Sequence, residues 1–328
     1  MSDWNLIGHA WAVRRLQQSI ETGQVAQSHL FAGPQSVGKA TLALAFARAL
    51  LSRDTADPAR AASLVDRLKH PDLFWIEPEA GESSIKVEQA RALLHALTLS
   101  PVESRFRVAV INDAHLVTDG AQNAILKTLE EPNPAAVIVL IAPQPGALLP
   151  TIVSRCQTLN LRPAPATEIE QALLARGAEP GKARLLARLA RGRPGWALRA
   201  LTDGELLAAR EQRLADLRAA LAANRTNRFA FAETMSKAGP QAARSVLEEW
   251  LWYWRDVARA ACDPAGEPLA DALLNIDCAQ SIAEVARRVS PAGAARATQA
   301  ILRAMSALEQ NANPRLTFDA LLLQLPSV

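Results

Sequence analysis

Cysteine is nearly absent from this chain. Its three copies in 328 residues, Cys156, Cys262 and Cys278, lie far apart and form no CxxC pair, which excludes a disulfide framework and a cysteine-built zinc site as organising features. A reducing cytosol is the expected compartment. Long hydrophobic runs are missing too. The greasiest stretch, AAVIVLIA at 135–142, has the length of a strand, and the opening MSDWNLIGHAWAVRRLQQ has no apolar signal core. A soluble, cytoplasmic protein with no membrane partner is expected. Charge of one sign is also lacking: the net charge is +3, which permits weak attraction to nucleic acid without making the chain polybasic. No repeat of solenoid period is visible. The five histidines show no metal-ligand spacing, and no Ser/His/Asp or Cys/His arrangement stands out. His70 before Pro71 reads as a turn residue, and Cys156 as a small residue buried at the start of a strand.

What is present is a hydrophobic content of 49%, enough for two or three domains. Residues 1–162 alternate short apolar runs with helical patterns, which predicts an α/β domain with a parallel sheet covered by helices. Five strands are expected, at 29–33, 72–77, 107–113, 135–142 and 157–161. After Leu161 the strand-like runs stop, and alanine, leucine and arginine recur at helical spacing. RPAPA at 162–166 is a stiff connector, and Thr167 with Glu168 and Glu170 marks a helix start. A small helical domain over 163–206 and a longer all-α domain over 207–328 are predicted, with breaks at 192–195, 238–240, 262–268 and 311–314.

The stretch GPQSVGKAT at 33–41 has Gly33, Gly38 and Lys39 at the spacing of a phosphate-binding loop, between an expected strand and an expected helix. In such a loop backbone N–H groups wrap phosphates, the helix N-terminus adds partial positive charge, and the lysine reaches the outer phosphates. Magnesium, however, needs a hydroxyl after the lysine and a carboxylate ending a neighbouring strand. The first position is Ala40, and Thr41 is turned about 100° away from it on a helix. The strand that should end in two acids ends in Asn112 and Asp113. LIAPQP puts Ala142 and Pro143 where ATPases place a polar group sensing the terminal phosphate. Losing one catalytic stabiliser costs about 3–4 kcal/mol. The site therefore reads as hydrolytically silent, with weak metal-free binding of ATP or ADP through Gly33, Gly38, Lys39 and Thr41 left open.

HPDLFWIEP, IKVEQARALLHALTLSP, RVAVINDAHLVTDGAQNAILKTLEEPNP and LLPTIVSRCQ follow one another through the first domain. In this series the chain resembles the delta-prime subunits of the bacterial DNA polymerase III clamp loader, relatives of the AAA+ ATPases. The most specific pieces are NAILKTLEEP (123–132) and TIVSRC (151–156). The resemblance implies a RecA-like P-loop domain, a small helical lid and a helical collar. It also implies a place in a five-membered ring with gamma/tau-type ATPase subunits and a delta subunit, which loads a sliding clamp onto primed DNA. No independent catalysis is implied, although the assembly belongs to a DNA polymerase holoenzyme, a nucleotidyltransferase. Ser154 and Arg155 match the SRC motif, so that Arg155 would enter a neighbour's ATP site as an arginine finger, where a charged planar fork stabilises the transferring phosphoryl group. Many family members carry a cysteine cluster for zinc where SRDTADPARAASLVDRLK (52–69) has none, so no zinc is expected. ATP-hydrolysing relatives place a nucleotide-touching arginine where this chain has Gly195; Arg193 lies out of register and reads as a surface charge.

Two features remain. EEWLWYWRD puts Trp250, Tyr253 and Trp254 on one helix face, read as core, with Trp252 pointing elsewhere as the better subunit-interface candidate. Lys182, Arg184, Arg188, Arg191 and Arg193 form a basic run that could touch DNA phosphates but has no interleaved aromatics, and a solvated helix face is the plainer reading.

Overall fold

Burial on both faces of a sheet requires unbroken apolar strands, and these runs form it. The computed structural model describes residues 4–79, 82, 84–237, 239–262 and 272–326. Its five strands are β1 (Ser28–Ala32), β2 (Leu73–Ile76), β3 (Arg107–Ile111), β4 (Ala136–Ala142) and β5 (Gln157–Asn160). All pair in parallel, in the order β2-β3-β4-β1-β5. The expected α/β P-loop architecture is therefore present.

Alternation along the strands divides two cores. Phe31, Val108, Val110, Val139 and Ile141 face α1 (Ala10–Glu21) and α2 (Lys39–Ser52), which contribute Leu16, Leu42 and Phe46. Leu30, Ala109, Ile111, Ile138 and Leu140 face the other way, onto Leu93 and Leu97 of α3 (Val87–Thr98) and Ile125 and Leu129 of α4 (Asp119–Glu130). A four-residue helical turn, α5 (Pro150–Val153), leads into β5. Contacts divide the chain into two compact units, Met1–Ala172 with Gly192–Trp196, and Leu173–Arg191 with Ala197–Val328; residues 163–206 are shared between them.

His29 sits inside the first core with neither ring nitrogen hydrogen-bonded, edge-on to Phe46 at 4.9 Å between ring centroids. Burial pushes its pKa down from 6.5 to about 4, and the Ala26 carbonyl, which favours the charged ring, offsets only part of this. Because the unfolded chain takes up the proton first, the stability of this unit is complete above pH 6.5 and falls as the pH drops towards 4, by about 3 kcal/mol. Denaturant melts across that window should show the loss, and His29→Leu should flatten the profile by a similar amount.

The second unit is helical and built on α6 (Pro240–Cys262), where Trp250, Tyr253 and Trp254 are fully buried as expected for core. Trp250 Nε1 donates to the Arg213 carbonyl at 3.0 Å, and its ring meets Phe318 edge-on. Trp252, the interface candidate, is half-buried: the Arg191 guanidinium lies 5.1 Å from its ring centroid, and Arg191 is also ion-paired to Glu249 at 2.5 Å. Its indole face is thus used within the fold. The expected break over 262–268 falls, beyond Cys262, outside the described residues, as does Ala238 in the break at 238–240. Among the described residues, no helix is long and apolar enough to cross a membrane.

Candidate functional site

The loop between β1 and α2 is shaped by residues that only certain backbones allow. Gly33 has φ +153°, and a Cβ there would lie 2.3 Å from the Leu161 carbonyl oxygen; Gly38 has φ +112°, and a Cβ would lie 3.0 Å from Leu6 Cδ1. The loop is also covered by this chain. The Gly195 amide donates to the Ser36 carbonyl at 2.9 Å, His9 Nε2 lies 3.2 Å from the Val37 carbonyl, and Leu6 closes over Gly38. At Gly195 a Cβ would come within 3.1 Å of the Ser36 oxygen, so the position where relatives carry an arginine is here a close backbone approach.

Lys39 begins α2, but its ammonium turns back onto the loop, donating to the carbonyls of Gly33 at 2.5 Å and Pro34 at 2.8 Å. It is buried, and burial lowers its pKa, opposed by the nearby charge of Asp113. Asp113 follows β3 at φ +56°. His115, one turn on, has a buried Nδ1 without a hydrogen bond, and burial lowers its pKa. Nothing in the sequence marked His115, Leu6 or His9 as neighbours of the loop; that proximity is a product of packing.

The magnesium side of the cradle is occupied differently. Ala40 packs against the first core. Asn112, in the position of the first acid, donates to Glu77 Oε2 at 3.0 Å, and Glu77 also accepts from Trp75 Nε1. Ala142 is buried at the end of β4. Thr41 faces outward into an open hollow of about 380 Å³ lined also by Trp4, Asn5, Arg48 and Asp66, so it does not join Lys39. The donors present do not fit a magnesium ion beside a triphosphate: one carboxylate, no hydroxyl, and a lysine committed to loop carbonyls. Among the described residues, Glu211, Asp277 and Cys278 are the one group whose ligand atoms cluster as a metal site would need, and Asp277 is already paired with Arg210 at 2.6 Å.

Arg155 stands at the other edge of the sheet. Because all strands are parallel, the phosphate loop follows the C-terminal end of β1, whereas Arg155 precedes the N-terminal end of its neighbour β5, where Gln157 pairs with His29. Roughly 13 Å of strand separates the two, at about 3.3 Å per residue. Arg155 Nη2 meets Glu130 Oε1 at 2.9 Å, and Nη1 donates to the Thr151 carbonyl at 3.0 Å; the side chain stays 37% exposed. This pair joins NAILKTLEEP to TIVSRC. Ser154 is exposed and its hydroxyl donates back to Thr151, 3.1 Å away. Cys156 is half-buried, and burial raises its thiol pKa to about 11, which leaves it protonated and unreactive at neutral pH.

Two family models match the chain: "DNA polymerase III, delta subunit" over residues 8–165, and "DNA polymerase III, delta subunit, C terminal" over residues 204–326. Together they take in both compact units. By these matches the chain is similar to DNA polymerase III delta and delta-prime subunits. Among delta-prime subunits, that of Bacillus subtilis is 36% identical over 54% of this chain and 54% of its own length, and that of Pseudomonas aeruginosa 37% identical over 49% and 51%. A DNA polymerase III gamma subunit from Buchnera aphidicola is 30% identical over 48% of this chain and 44% of its own. The chain thus matches about half the length of these curated relatives. The first family model, over residues 8–165, takes in the sheet, the phosphate loop and the SRC motif.

Proposed function

We propose that this protein is a non-hydrolysing subunit of a clamp loader, which assembles with gamma/tau-type ATPase subunits and a delta subunit in a cytoplasmic five-membered ring and supplies Arg155 to a neighbour's ATP site while a sliding clamp is loaded onto primed DNA. The observation that carries this reading is the separation of Arg155 from its own phosphate loop across the sheet. A guanidinium held by an exposed ion pair, worth about 0–1 kcal/mol, and one exposed hydrogen bond to the Thr151 carbonyl can exchange Glu130 for a phosphate at little cost. In its own loop the chain offers an anion no more than Lys39 and backbone amides, and Lys39 must first give up the Gly33 and Pro34 carbonyls. Metal-free ATP or ADP would bind there weakly and persist uncleaved. The purified chain with ATP and magnesium should therefore show background turnover, unchanged by Lys39→Ala. Turnover that is abolished by that substitution would instead make the chain an ATPase.

A further inference from the structure

Trp11 begins a face of α1 that stays exposed among the described residues. Its side chain is 43% exposed, and every other described tryptophan is buried or half-buried. Arg14 and Arg15 follow at i+3 and i+4 and are both exposed. At 3.6 residues per turn they lie one turn along the helix and flank the indole within about 60° on either side. Neither guanidinium is held by an ion pair or side-chain hydrogen bond among the described residues. Glu21, the carboxylate of this helix, lies ten residues from Trp11, about 15 Å along the axis. The opposite face, Ala12, Leu16 and Ile20, is buried in the first core and holds the helix in place.

The basic run of the second helical stretch makes a useful contrast. Lys182 donates to the Leu201 carbonyl, and Arg184, Arg188, Arg191 and Arg193 each have a partner within the protein. On α1 the cations are unengaged and an aromatic stands between them.

We infer that this face is a platform for single-stranded nucleic acid, with Trp11 stacking on a base and Arg14 and Arg15 meeting the flanking phosphates. Two uncommitted guanidiniums ask for a polyanion, and an exposed indole beside them asks for one that carries flat apolar rings. A single strand supplies both; an acidic peptide supplies the charge alone. A duplex keeps its bases stacked on one another and leaves Trp11 without a partner.

The test is fluorescence anisotropy of a labelled 20-nucleotide oligothymidylate titrated with the full chain over a series of salt concentrations. It requires no partner subunit and no ATP, so its outcome is separate from that of the ATP-site reading. Trp11→Ala should weaken binding about tenfold, as expected for one base–aromatic stack, while Trp11→Phe retains most of the affinity. Arg14→Gln with Arg15→Gln should make the slope of log K against log salt shallower by about 1.4, the value for two phosphate contacts on a single strand. All three side chains are exposed, and circular dichroism of the variants checks that they fold. Absence of binding by the parent chain, or unchanged affinity and slope in the variants, would overturn the inference. So would displacement of the labelled strand by polyglutamate as readily as by unlabelled oligothymidylate, which would assign the face to an acidic polypeptide.

Discussion

Replacing Arg155 by alanine in the assembled complex is expected to slow hydrolysis at the neighbouring ATP site by about 10³-fold or more, the range found for trans-acting arginines in other phosphoryl-transfer systems. The fold should not notice. Arg155 is exposed, its partner Glu130 is 51% exposed, and the pair contributes little to stability. Arg155→Lys should recover only part of the rate, because an ammonium keeps the charge but not the planar fork that spans two phosphoryl oxygens. Glu130→Gln separates the two roles of the contact: it releases the guanidinium and should leave hydrolysis intact or faster. Single-turnover hydrolysis on complexes checked by gel filtration measures all three. Full activity in the Arg155→Ala complex, with assembly preserved, would remove this residue from the chemistry.

The strands were legible because their chemistry is local: five apolar runs bounded by turns cannot be buried on both faces in any other way. The phosphate loop was legible for the same reason, since its glycines and lysine are contiguous. What the missing hydroxyl at Ala40 and the amide at Asn112 meant could also be read residue by residue. The remainder depends on contacts between distant segments. The opposition of Arg155 to its own loop follows from strand order, with β5 beside β1, which no local pattern encodes. The covering of the loop by Leu6, His9 and Gly195 joins residues 28 (His9–Val37) to 159 (Gly195–Ser36) positions apart in the chain. The Arg191 guanidinium beside Trp252 comes from a turn about 60 residues earlier in the chain, which helical phase alone does not show.

Asp72 is the sharpest case of a residue whose sequence context hides its work. At the start of the strand expected over 72–77 nothing local gives it a role, yet it is completely buried and its carboxylate accepts the amides of Val102 at 2.8 Å, Glu103 at 2.8 Å and Ser104 at 3.0 Å. Arg107, at 3.7 Å, supplies the counter-charge and donates to the carbonyls of Ser100 and Ala96. One carboxylate thus fixes the turn that links α3 to β3, the strand that ends at Asp113 beside Lys39. Asp72→Ala would leave three part-buried amides without their acceptor and the buried Arg107 guanidinium without its counter-charge, and should cost about 3–5 kcal/mol. Asp72→Asn retains one acceptor oxygen and the shape, and should cost about 1–3 kcal/mol. Hydrogen exchange can locate the effect: protection at Val102, Glu103 and Ser104 should fall in both variants, more in the alanine. The second helical unit should melt as before. Equal loss of protection throughout the chain would mean that the carboxylate supports the whole molecule and not this turn. Unchanged protection at the three amides would mean that the turn is held by its backbone alone.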